Sequence, residues 1–489
     1  MRPKQEKTFF GHPRALATLF GTEMWERFSW YGLRAILATF MAASPAQQGL
    51  GLPDETAQAV VGVYGALIYL VALPGGWIAD RILGARRSVF LGGCLILLGH
   101  VSMAVPVTSP LFIWLGLLLI ISGTGLLKPN MSVMVGRLYP AEDDGRRDAG
   151  FSLFYLSINL GAFFAPIVVG WLADGDRWHL AFSAAAVGMA LGLVQYVRGG
   201  RGLRAIGEPP AHVEHGKLGR LVALGVGAPA IALAAWAATG TLTIDRLTVA
   251  ITVVIVLVTV GYFAYIMLGS HDLTEDERIR MKAYIWLFAA ASIFWMIYDL
   301  APSKLLFFAR DHTDLTLFGI GITPATTQAF NPLFIIIFVP VFAALWVRLG
   351  TRVSTPQKFA FALVMIGVSF VVMAVAAALA GNGRVSVWWL VLVYLIQVFG
   401  ELSLSPVGLS VTTKLAPEAF KSQMLGVWFI AFSVGDAIGG QTGRLGRVLS
   451  DPAYYLVLAS MAVVAGLALF MFTRQLRAMM AEHHEPAMR

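Results

Sequence analysis

Long stretches of hydrophobic residues alternate along this chain with short segments rich in glycine, proline and charged residues. Many of the stretches reach the roughly 20 residues that an α-helix needs to cross the hydrocarbon core of a bilayer. The pattern predicts fourteen spans near 14–42, 56–80, 87–105, 110–138, 148–172, 179–197, 219–239, 246–268, 281–310, 326–347, 357–380, 387–415, 419–441 and 451–474. We therefore expect an all-α polytopic membrane protein.

Spans 7 and 8 differ from the rest of the chain. Their sequences, LVALGVGAPAIALAAWAATG and LTVAITVVIVLVTVGYFAYIML, contain no charged residue, which is typical of a lipid-facing helical hairpin. Without this pair, twelve core spans remain, arranged as six plus six. We predict an N-terminal six-helix bundle at 1–198, a linker with the extra hairpin at 199–280, and a C-terminal six-helix bundle at 281–489.

Composition and charge exclude some kinds of binding site and predict the orientation of the protein in the membrane. The chain is 57% hydrophobic and 13% charged, and its single cysteine, Cys94, excludes an internal disulfide or a cysteine-based metal cluster. The net charge of +8 comes from basic residues scattered over short loops, which does not favour nucleic-acid binding. With both termini placed in the cytoplasm, 26 of the 36 lysines and arginines fall in inner segments and 6 in outer ones. This asymmetry predicts the orientation by the positive-inside rule.

Span 1 contains EMWERFSWYGLR, a segment with Glu23, Glu26, Arg27 and Arg34. At 100° per residue these groups form a stripe roughly 100° wide that rises about 16 Å along the helix. Ionisable groups at this depth are costly in lipid, so the stripe must line protein or water. One interpretation is a structural ion-pair network between helices; the other is a functional cavity.

Two further spans carry a charge close to a proline. Span 4 has Lys128 directly before Pro129 in GTGLLKPNMS, and span 12 has Glu401 shortly before Pro406 in GELSLSPVGLS. These spans hold equivalent places in the two halves, and matched Pro/Gly interruptions are typical of a central transport site. Span 9, the counterpart of span 1, carries Asp299.

The counterpart positions suggest two ion pairs across the halves, Arg34 with Asp299 and Lys128 with Glu401. A charge pair that joins the halves closes one face of the cavity, and a proton or charged substrate can release it. We predict that both pairs act as gates. Proton coupling follows as a hypothesis, since a buried carboxylate can exchange protons when its cation moves away.

These motifs resemble the proton-dependent oligopeptide transporter family of the major facilitator superfamily. EMWERFSWYGLR is similar to the family's ExxERFxYYGxR signature, with Trp30 in place of the first tyrosine. FYLSINLGAFFAP at 154–166 is similar to its FYxxINxG signature, and GTGLLKPN, ELSLSPVGLS, NPLFIIIF and GVWF match as well. The extra hairpin between the halves is typical of bacterial members.

The resemblance implies a major facilitator fold and import of di- and tripeptides, driven by protons and carried out by alternating access. We expect a multi-pass protein of the bacterial inner membrane that works as a monomer without metal or cofactor. Glu23, Glu26 and Arg27 would then couple transport to protons.

A peptide zwitterion needs cations for its carboxylate, an anion with amide groups for its amine, and adaptable apolar walls. We expect Arg34 and Lys128 to bind the carboxylate. The other expected substrate contacts are Glu401, Asn159 and Asn331 at the amine, Tyr31, Tyr69, Trp295 and Trp428 in the walls, and Ser405.

One departure from the family bears on the gate. FWMIYDLAPS places Asp299 and Leu300 where the family commonly has Glu-Gln, so the acid is one methylene shorter. Transport of another small solute, such as nitrate, an amino-acid conjugate or a drug-like molecule, remains the main alternative. A membrane-embedded enzyme lacks support from any HExxH, GxSxG or paired-Asp motif, and a channel lacks a filter-like repeat.

Overall fold

The computed structural model describes residues 8–106, 109–140, 143–203, 206–208, 215–269 and 273–481. These residues are mostly helical. The α-helices are α1 Arg14–Ala42, α2 Asp54–Ile78, α3 Ala85–Ala104, α4 Leu111–Gly136, α5 Asp144–Ala173, α6 Trp178–Gly199, α7 His215–Ala238, α8 Ile244–Ala264, α9 Glu275–Tyr298, α10 Leu306–His312, α11 Phe330–Leu349, α12 Thr355–Ala380, α13 Trp388–Leu415, α14 Lys421–Thr442, α15 Asp451–Met471 and α16 Thr473–Met480.

The predicted fold class is confirmed, since each of the fourteen predicted spans corresponds to observed helix. Span 9 is built from α9, a π-helical turn at Ala301–Leu305 and α10, which together form one span at Glu275–His312. Among the described residues, 11 helices are long and apolar enough to cross a membrane. The chain is therefore a multi-pass membrane protein.

The described part of the chain also contains four two-residue strands. β1 Thr313–Asp314 pairs in parallel with β4 Val385–Ser386, and β2 Thr316–Leu317 pairs antiparallel with β3 Ile320–Gly321. The segment after α10 therefore folds back on itself and contacts the segment between α12 and α13. These short ladders order the loops that follow span 9.

Helix packing divides the core into two groups. In the first, α1 packs against α5 and α6, and α3 packs against α4 and α6; in the second, α12 packs against α13 and α15, and α9 packs against α14. Buried apolar side chains fill each group, with the largest continuous core in the second. The predicted boundaries at 1–198, 199–280 and 281–489 stay a prediction. Residues 1–7, 107–108, 141–142, 204–205, 209–214, 270–272 and 482–489 lie outside the described part of the chain.

The two groups meet closely where α2 crosses α14. A Cβ on Gly62 would lie 2.5 Å from the carbonyl oxygen of Asp436 and 2.6 Å from Cα of Gly440, so only glycine fits at this crossing. Near the start of α2, Gln58 Nε2 donates to Gly439 O at 3.1 Å. We call the face that carries the loop between α1 and α2, residues 43–53, the loop-1 face.

Ion pairs reinforce the contact between the groups on the loop-1 face. Arg447 Nε lies 2.9 Å from Glu55 Oε1, and Arg310 Nη2 lies 2.9 Å from Asp54 Oδ2. Partly exposed pairs of this kind each contribute at most about 1 kcal/mol. Their common placement nevertheless shows that the loop-1 face is closed in this structure.

Helix α8 contacts both groups at the same face. Thr56 of α2 donates to Asp245 Oδ1 at 2.9 Å, and Arg444, just after α14, lies 3.4 Å from the same carboxylate oxygen. Deeper in the membrane, Thr252 of α8 donates to Ala437 O of α14 at 3.3 Å. The extra hairpin is therefore attached to the core through side chains from both groups.

Proline does not interrupt the helices where the sequence suggested a break. Both α4 and α13 continue through Pro129 and Pro406 as α-helix. The interruption lies instead in span 9, where α9 ends at Tyr298 and the backbone turns at Asp299 before the π-helical segment. A carboxylate thus sits at a point where the helical hydrogen-bond pattern changes.

Candidate functional site

A cavity of about 190 Å³ lies between the two helix groups. Its wall combines aromatic rings with a few polar and charged groups, as is usual for a site that binds a small organic molecule. Eight of the predicted substrate contacts line it, together with Asp299. They are Tyr31, Arg34, Tyr69, Asn159, Trp295, Asn331, Glu401 and Ser405.

The charged stripe of α1 is buried beside this cavity. Arg27 Nε lies 2.5 Å from Glu26 Oε2 and 3.3 Å from Glu23 Oε1, and all three residues are at most 3% exposed. Helical spacing places Glu23 and Arg27 one turn apart, so a single guanidinium serves both acids. One oxygen of each carboxylate, Glu23 Oε2 and Glu26 Oε1, has no hydrogen-bond partner. These free acceptor positions are suited to hold a proton.

Trp30 separates the two arginines of α1. The guanidinium carbons of Arg27 and Arg34 lie 5.3 Å and 4.9 Å from the centre of its indole ring. Tryptophan gives the strongest cation–π contact of the aromatic side chains. The replacement of tyrosine by Trp30 therefore provides a single ring that orients both cations.

Arg34 joins the two helix groups. Its Nη2 atom lies 2.9 Å from Oδ1 of Asp299, and the two side chains are 7% and 10% exposed. The shorter acid thus still reaches the arginine, because the turn after α9 brings its backbone close to α1. Whether this pair acts as a gate stays a prediction.

Lys128 does not pair with Glu401 in this structure. Its Nζ atom lies 4.0 Å from the centre of the Tyr69 ring, and the lysine is near enough to Glu23 and Glu26 to interact with them electrostatically. It therefore extends the charged group of α1 rather than reaching across to α13. A gate between Lys128 and Glu401 stays a prediction for another conformation.

Glu401 instead takes part in a hydrogen-bonded chain within the second helix group. The hydroxyl of Tyr298 donates to Glu401 Oε2 at 2.5 Å, and Asn331 Nδ2 donates to that hydroxyl at 2.8 Å. Three helices, α9, α11 and α13, thus contribute one residue each. The chain of hydrogen bonds fixes the carboxylate in the cavity wall.

Aromatic rings form the apolar part of the wall. The Trp295 and Phe432 rings stack at 4.0 Å, and Tyr69 packs on Phe432 at 4.9 Å. Trp428 lies behind this layer, 6.1 Å from Phe432 and 2% exposed, and does not line the cavity. Its indole fills the space beside Gly408, where a Cβ would come within 1.9 Å of the ring. In this conformation Trp428 supports the wall from behind.

Sequence reasoning missed several cavity residues. Tyr298 is the most important, and the signal was its position three residues after Trp295 and directly before Asp299, on the same part of α9. Gln397 lies one helical turn before Glu401 and faces the cavity for that reason. The further lining residues that the sequence analysis did not select include Trp30, Tyr155, Pro302, Gln328, Tyr394 and Phe432.

The polar groups of the cavity are divided by charge. A guanidinium lies on the first helix group, and a carboxylate with an amide lies on the second, with aromatic rings between them. This arrangement suits a small molecule with a negative group at one end and a positive group at the other.

Comparison with known proteins identifies relatives along nearly the whole chain. Residues 86–455 match the family model described as PTR2, POT family. The chain is 42% identical to a di-/tripeptide transporter of Lactococcus lactis over 98% of its length and 99% of the relative's. It is 39% identical to a peptide transporter of Yersinia enterocolitica over 91% of its length and 90% of the relative's.

Solved structures agree with these relatives. A peptide transporter POT in complex with sulfate is 43% identical, with a TM-score of 0.92 and coverage of 98% of both chains. A POT family transporter in complex with 5-aminolevulinic acid is 39% identical, with a TM-score of 0.91 and coverage of 96% of this chain and 98% of the other. The match extends through both helix groups and the hairpin between them, so the chain is a member of the POT family, a family of transporters rather than enzymes.

Proposed function

We propose that this protein is a proton-coupled symporter that imports di- and tripeptides by alternating access. Membership of the POT family supports the proposal, as do relatives named di-/tripeptide transporters at about 42% identity. The observation that carries it is the charge division of the central cavity, with Arg34 on one helix group and Glu401 on the other. A peptide zwitterion has complementary charges at its two ends.

In this proposal the substrate carboxylate binds Arg34, and Lys128 turns from the Tyr69 ring to meet it. The substrate amine binds Glu401, with Asn331 and Asn159 supplying amide groups. Charged hydrogen bonds of this kind contribute about 1.5–3 kcal/mol each. The remaining wall residues, Tyr31, Tyr69, Trp295 and Ser405, contact the backbone and side chains of the peptide, with Trp428 as their support.

Proton coupling is assigned to Glu23 and Glu26 beside Arg27. A single guanidinium between two buried carboxylates leaves one acid without full compensation, which favours binding of a proton. Movement of Lys128 toward a substrate carboxylate would remove a second cation from this group and strengthen its hold on the proton. Substrate and proton binding would thereby favour each other.

The Arg34–Asp299 pair and the closed α2–α14 crossing support an arrangement in which the loop-1 face is shut. The positive-inside rule makes this the outer face, with both termini in the cytoplasm. The structure then corresponds to a state that opens inward. We assign the protein to the bacterial inner membrane as a monomeric unit, since one chain contains the complete cavity.

Uptake of a labelled dipeptide by proteoliposomes tests the function. We expect accumulation above equilibrium when the interior is alkaline relative to the outside, and no accumulation when the interior is acidic. Accumulation that is the same in both gradients would contradict proton symport.

Two further measurements separate the alternatives. Counterflow, in which unlabelled peptide inside accelerates entry of labelled peptide, is expected for a carrier and not for a channel. 5-Aminolevulinic acid has an amine and a carboxylate without a peptide bond, so its competition against the dipeptide measures how much of the recognition depends on the charged ends. A failure of all peptides to compete would favour the alternative of another small solute.

A further inference from the structure

Two exposed apolar side chains lie at the tip of the β2–β3 hairpin, in the segment between α10 and α11. Phe318 is 82% exposed and Ile320 is 68% exposed. The hairpin belongs to the loop-1 face, since Arg310, near the end of α10, pairs with Asp54 at the start of α2. Neither side chain lines the central cavity, so the proposed function gives them no role.

The turn at the tip favours a residue other than phenylalanine. Leu317 pairs with Ile320, which leaves Phe318 and Gly319 as a two-residue loop. Both have a positive φ, 51° and 80°, as in the type I′ turns that commonly join such strands. The first position of these turns prefers asparagine, aspartate or glycine, and a bulky side chain is disfavoured there. The backbone therefore does not account for the phenylalanine, which indicates a role for its ring.

The rest of the hairpin is attached to the protein. Ile322 N donates to Leu315 O at 2.8 Å, and both residues pack with Leu317 against the core of the second helix group. At the base, β1 pairs with β4, and Thr313 Oγ1 donates to Phe308 O at 3.2 Å. The tip thus projects from an ordered support.

The depth of the tip in the membrane follows from its contact with Trp388. This residue begins α13, one of the helices long and apolar enough to cross a membrane. Trp388 is 48% exposed and Leu392, one turn later, is 42% exposed, so this apolar face of α13 is turned towards lipid. The Phe318 ring meets the Trp388 ring edge to face at 5.3 Å. Tryptophan at the end of a spanning helix is typical of the membrane–water interface, which places Phe318 at that depth.

We propose that the β2–β3 hairpin is a membrane anchor, and that Phe318 and Ile320 at its tip insert into the lipid leaflet on the loop-1 face. Lipid is the occupant that the structure favours, because the exposed tip is continuous with the lipid-facing surface of α13. Apolar groups at this depth are buried at the boundary between head groups and acyl chains. The anchor holds the connection between α10 and α11 at a fixed depth.

The anchored connection also carries a contact between the two helix groups. A Cβ on Gly170 of α5 would lie 2.5 Å from Oγ1 of Thr323, two residues after β3. Gln328 Nε2 donates to Ala35 O of α1 at 3.1 Å. The hairpin therefore fixes, relative to the lipid, the part of the second group that packs on the first when the loop-1 face is closed.

Collisions of a spin label with oxygen and with a water-soluble nickel chelate measure the depth of the tip. Ile320→Cys carries the label after Cys94→Ser removes the native thiol, and the protein is studied in lipid nanodiscs without substrate. Oxygen is concentrated in the lipid, whereas the charged chelate stays in water. We expect the label at residue 320 to collide preferentially with oxygen.

Val448→Cys in the same background is the matched control. Val448 is 80% exposed on the loop-1 face, but it follows Arg447, which pairs with Glu55 on that face. A label there should collide preferentially with the chelate. The ratio of oxygen to chelate collisions is therefore expected to be several-fold higher at residue 320 than at residue 448.

Two substitutions of Phe318 separate insertion into lipid from the shape of the turn. Phe318→Asn supplies a residue that the turn prefers but removes the ring, so the label at residue 320 should move towards water and its ratio should fall several-fold. Phe318→Trp keeps an aromatic ring suited to the interface and should keep the ratio. An unchanged ratio in Phe318→Asn overturns the proposal.

Equal ratios at residues 320 and 448 would also overturn it, because the tip would then lie in water. A label at residue 320 that is shielded from both reagents does the same, since it would indicate contact with protein, such as a second copy of the chain, instead of lipid. These measurements require no transport, so their outcome is independent of the dipeptide uptake that tests the proposed function.

Discussion

The two sides of the central cavity handle charge differently. On the α1 side, two acids and two arginines are held by ion pairs and by cation–π contacts to Trp30. On the α13 side, Glu401 is held by the neutral hydroxyl of Tyr298, supported by Asn331. Helices on opposite sides of the same cavity thus hold their acids by different means. An ion pair responds to the loss of a proton or partner far more strongly than a neutral hydrogen bond does.

The largest expected effect is on the α1 side. Glu23→Gln or Glu26→Gln removes a proton-binding carboxylate beside Arg27, so gradient-driven uptake of dipeptide should fall to near background. Exchange of peptide across the membrane should persist, because the cavity and its substrate contacts are intact. Proteoliposome uptake and counterflow measure the two processes separately, and wild-type accumulation in both variants would contradict the assignment.

The next effect is expected from a change in the contact between Arg34 and the substrate. Lysine in its place keeps the charge but loses the planar group that binds a carboxylate with two hydrogen bonds. Arg34→Lys should therefore weaken dipeptide binding by about 10- to 100-fold, which corresponds to about 1.5–3 kcal/mol. Dipeptides amidated at the C-terminus should compete poorly with labelled dipeptide for uptake by the wild type. Because they lack the carboxylate, the substitution should weaken their competition little further. Equal competition by free and amidated peptides would move the carboxylate site elsewhere.

Charge reversal of Lys128 and Glu401 tests whether the two sides of the cavity form an ion pair with each other in another conformation. Lys128 now lies over Tyr69, so the pair is expected only when the face opposite loop 1 closes. Either single charge reversal leaves an uncompensated buried charge, at a cost of about 3–5 kcal/mol. Lys128→Glu combined with Glu401→Lys should restore closure, measured by cross-linking of cysteines at the ends of α4 and α13. Equal closure in single, double and wild-type proteins would leave both residues as substrate contacts alone.

The smallest effect is expected from loss of the neutral hydrogen bond between Tyr298 and Glu401. Tyr298→Phe removes the hydroxyl that bridges Asn331 and Glu401 but keeps the ring stacked on Phe294 at 5.6 Å. Loss of about 1 kcal/mol should raise KM for a dipeptide by about fivefold. Tyr64→Phe is the control, since the buried hydroxyl of Tyr64 has no hydrogen-bond partner. A similar change in both variants would show that the effect is not specific to the chain of hydrogen bonds.

The helices were predictable because each depends on local hydropathy, and the polar face of α1 was predictable because it follows from helical periodicity. The contact that Lys128 makes with the Tyr69 ring could not be predicted from the sequence. Equivalence of spans 4 and 12 implies related positions in the two halves, but a contact also depends on the rotation of each helix about its axis. That rotation is set by packing against α1, α2 and α3, which the sequence of α4 does not encode alone. Tyr298 was missed because its role depends on the turn at Asp299, where the expected helical register ends.

The contacts of α8 have a mechanical consequence. Asp245 receives a hydrogen bond from Thr56 and lies beside Arg444, so the hairpin spans the seam between the two halves at the loop-1 face. Any widening of that seam must stretch or break these links before the halves can tilt far apart. A helix that contributes nothing to the cavity therefore acts as a tether, whose length limits the amplitude of the rocking motion and so the size of the entrance.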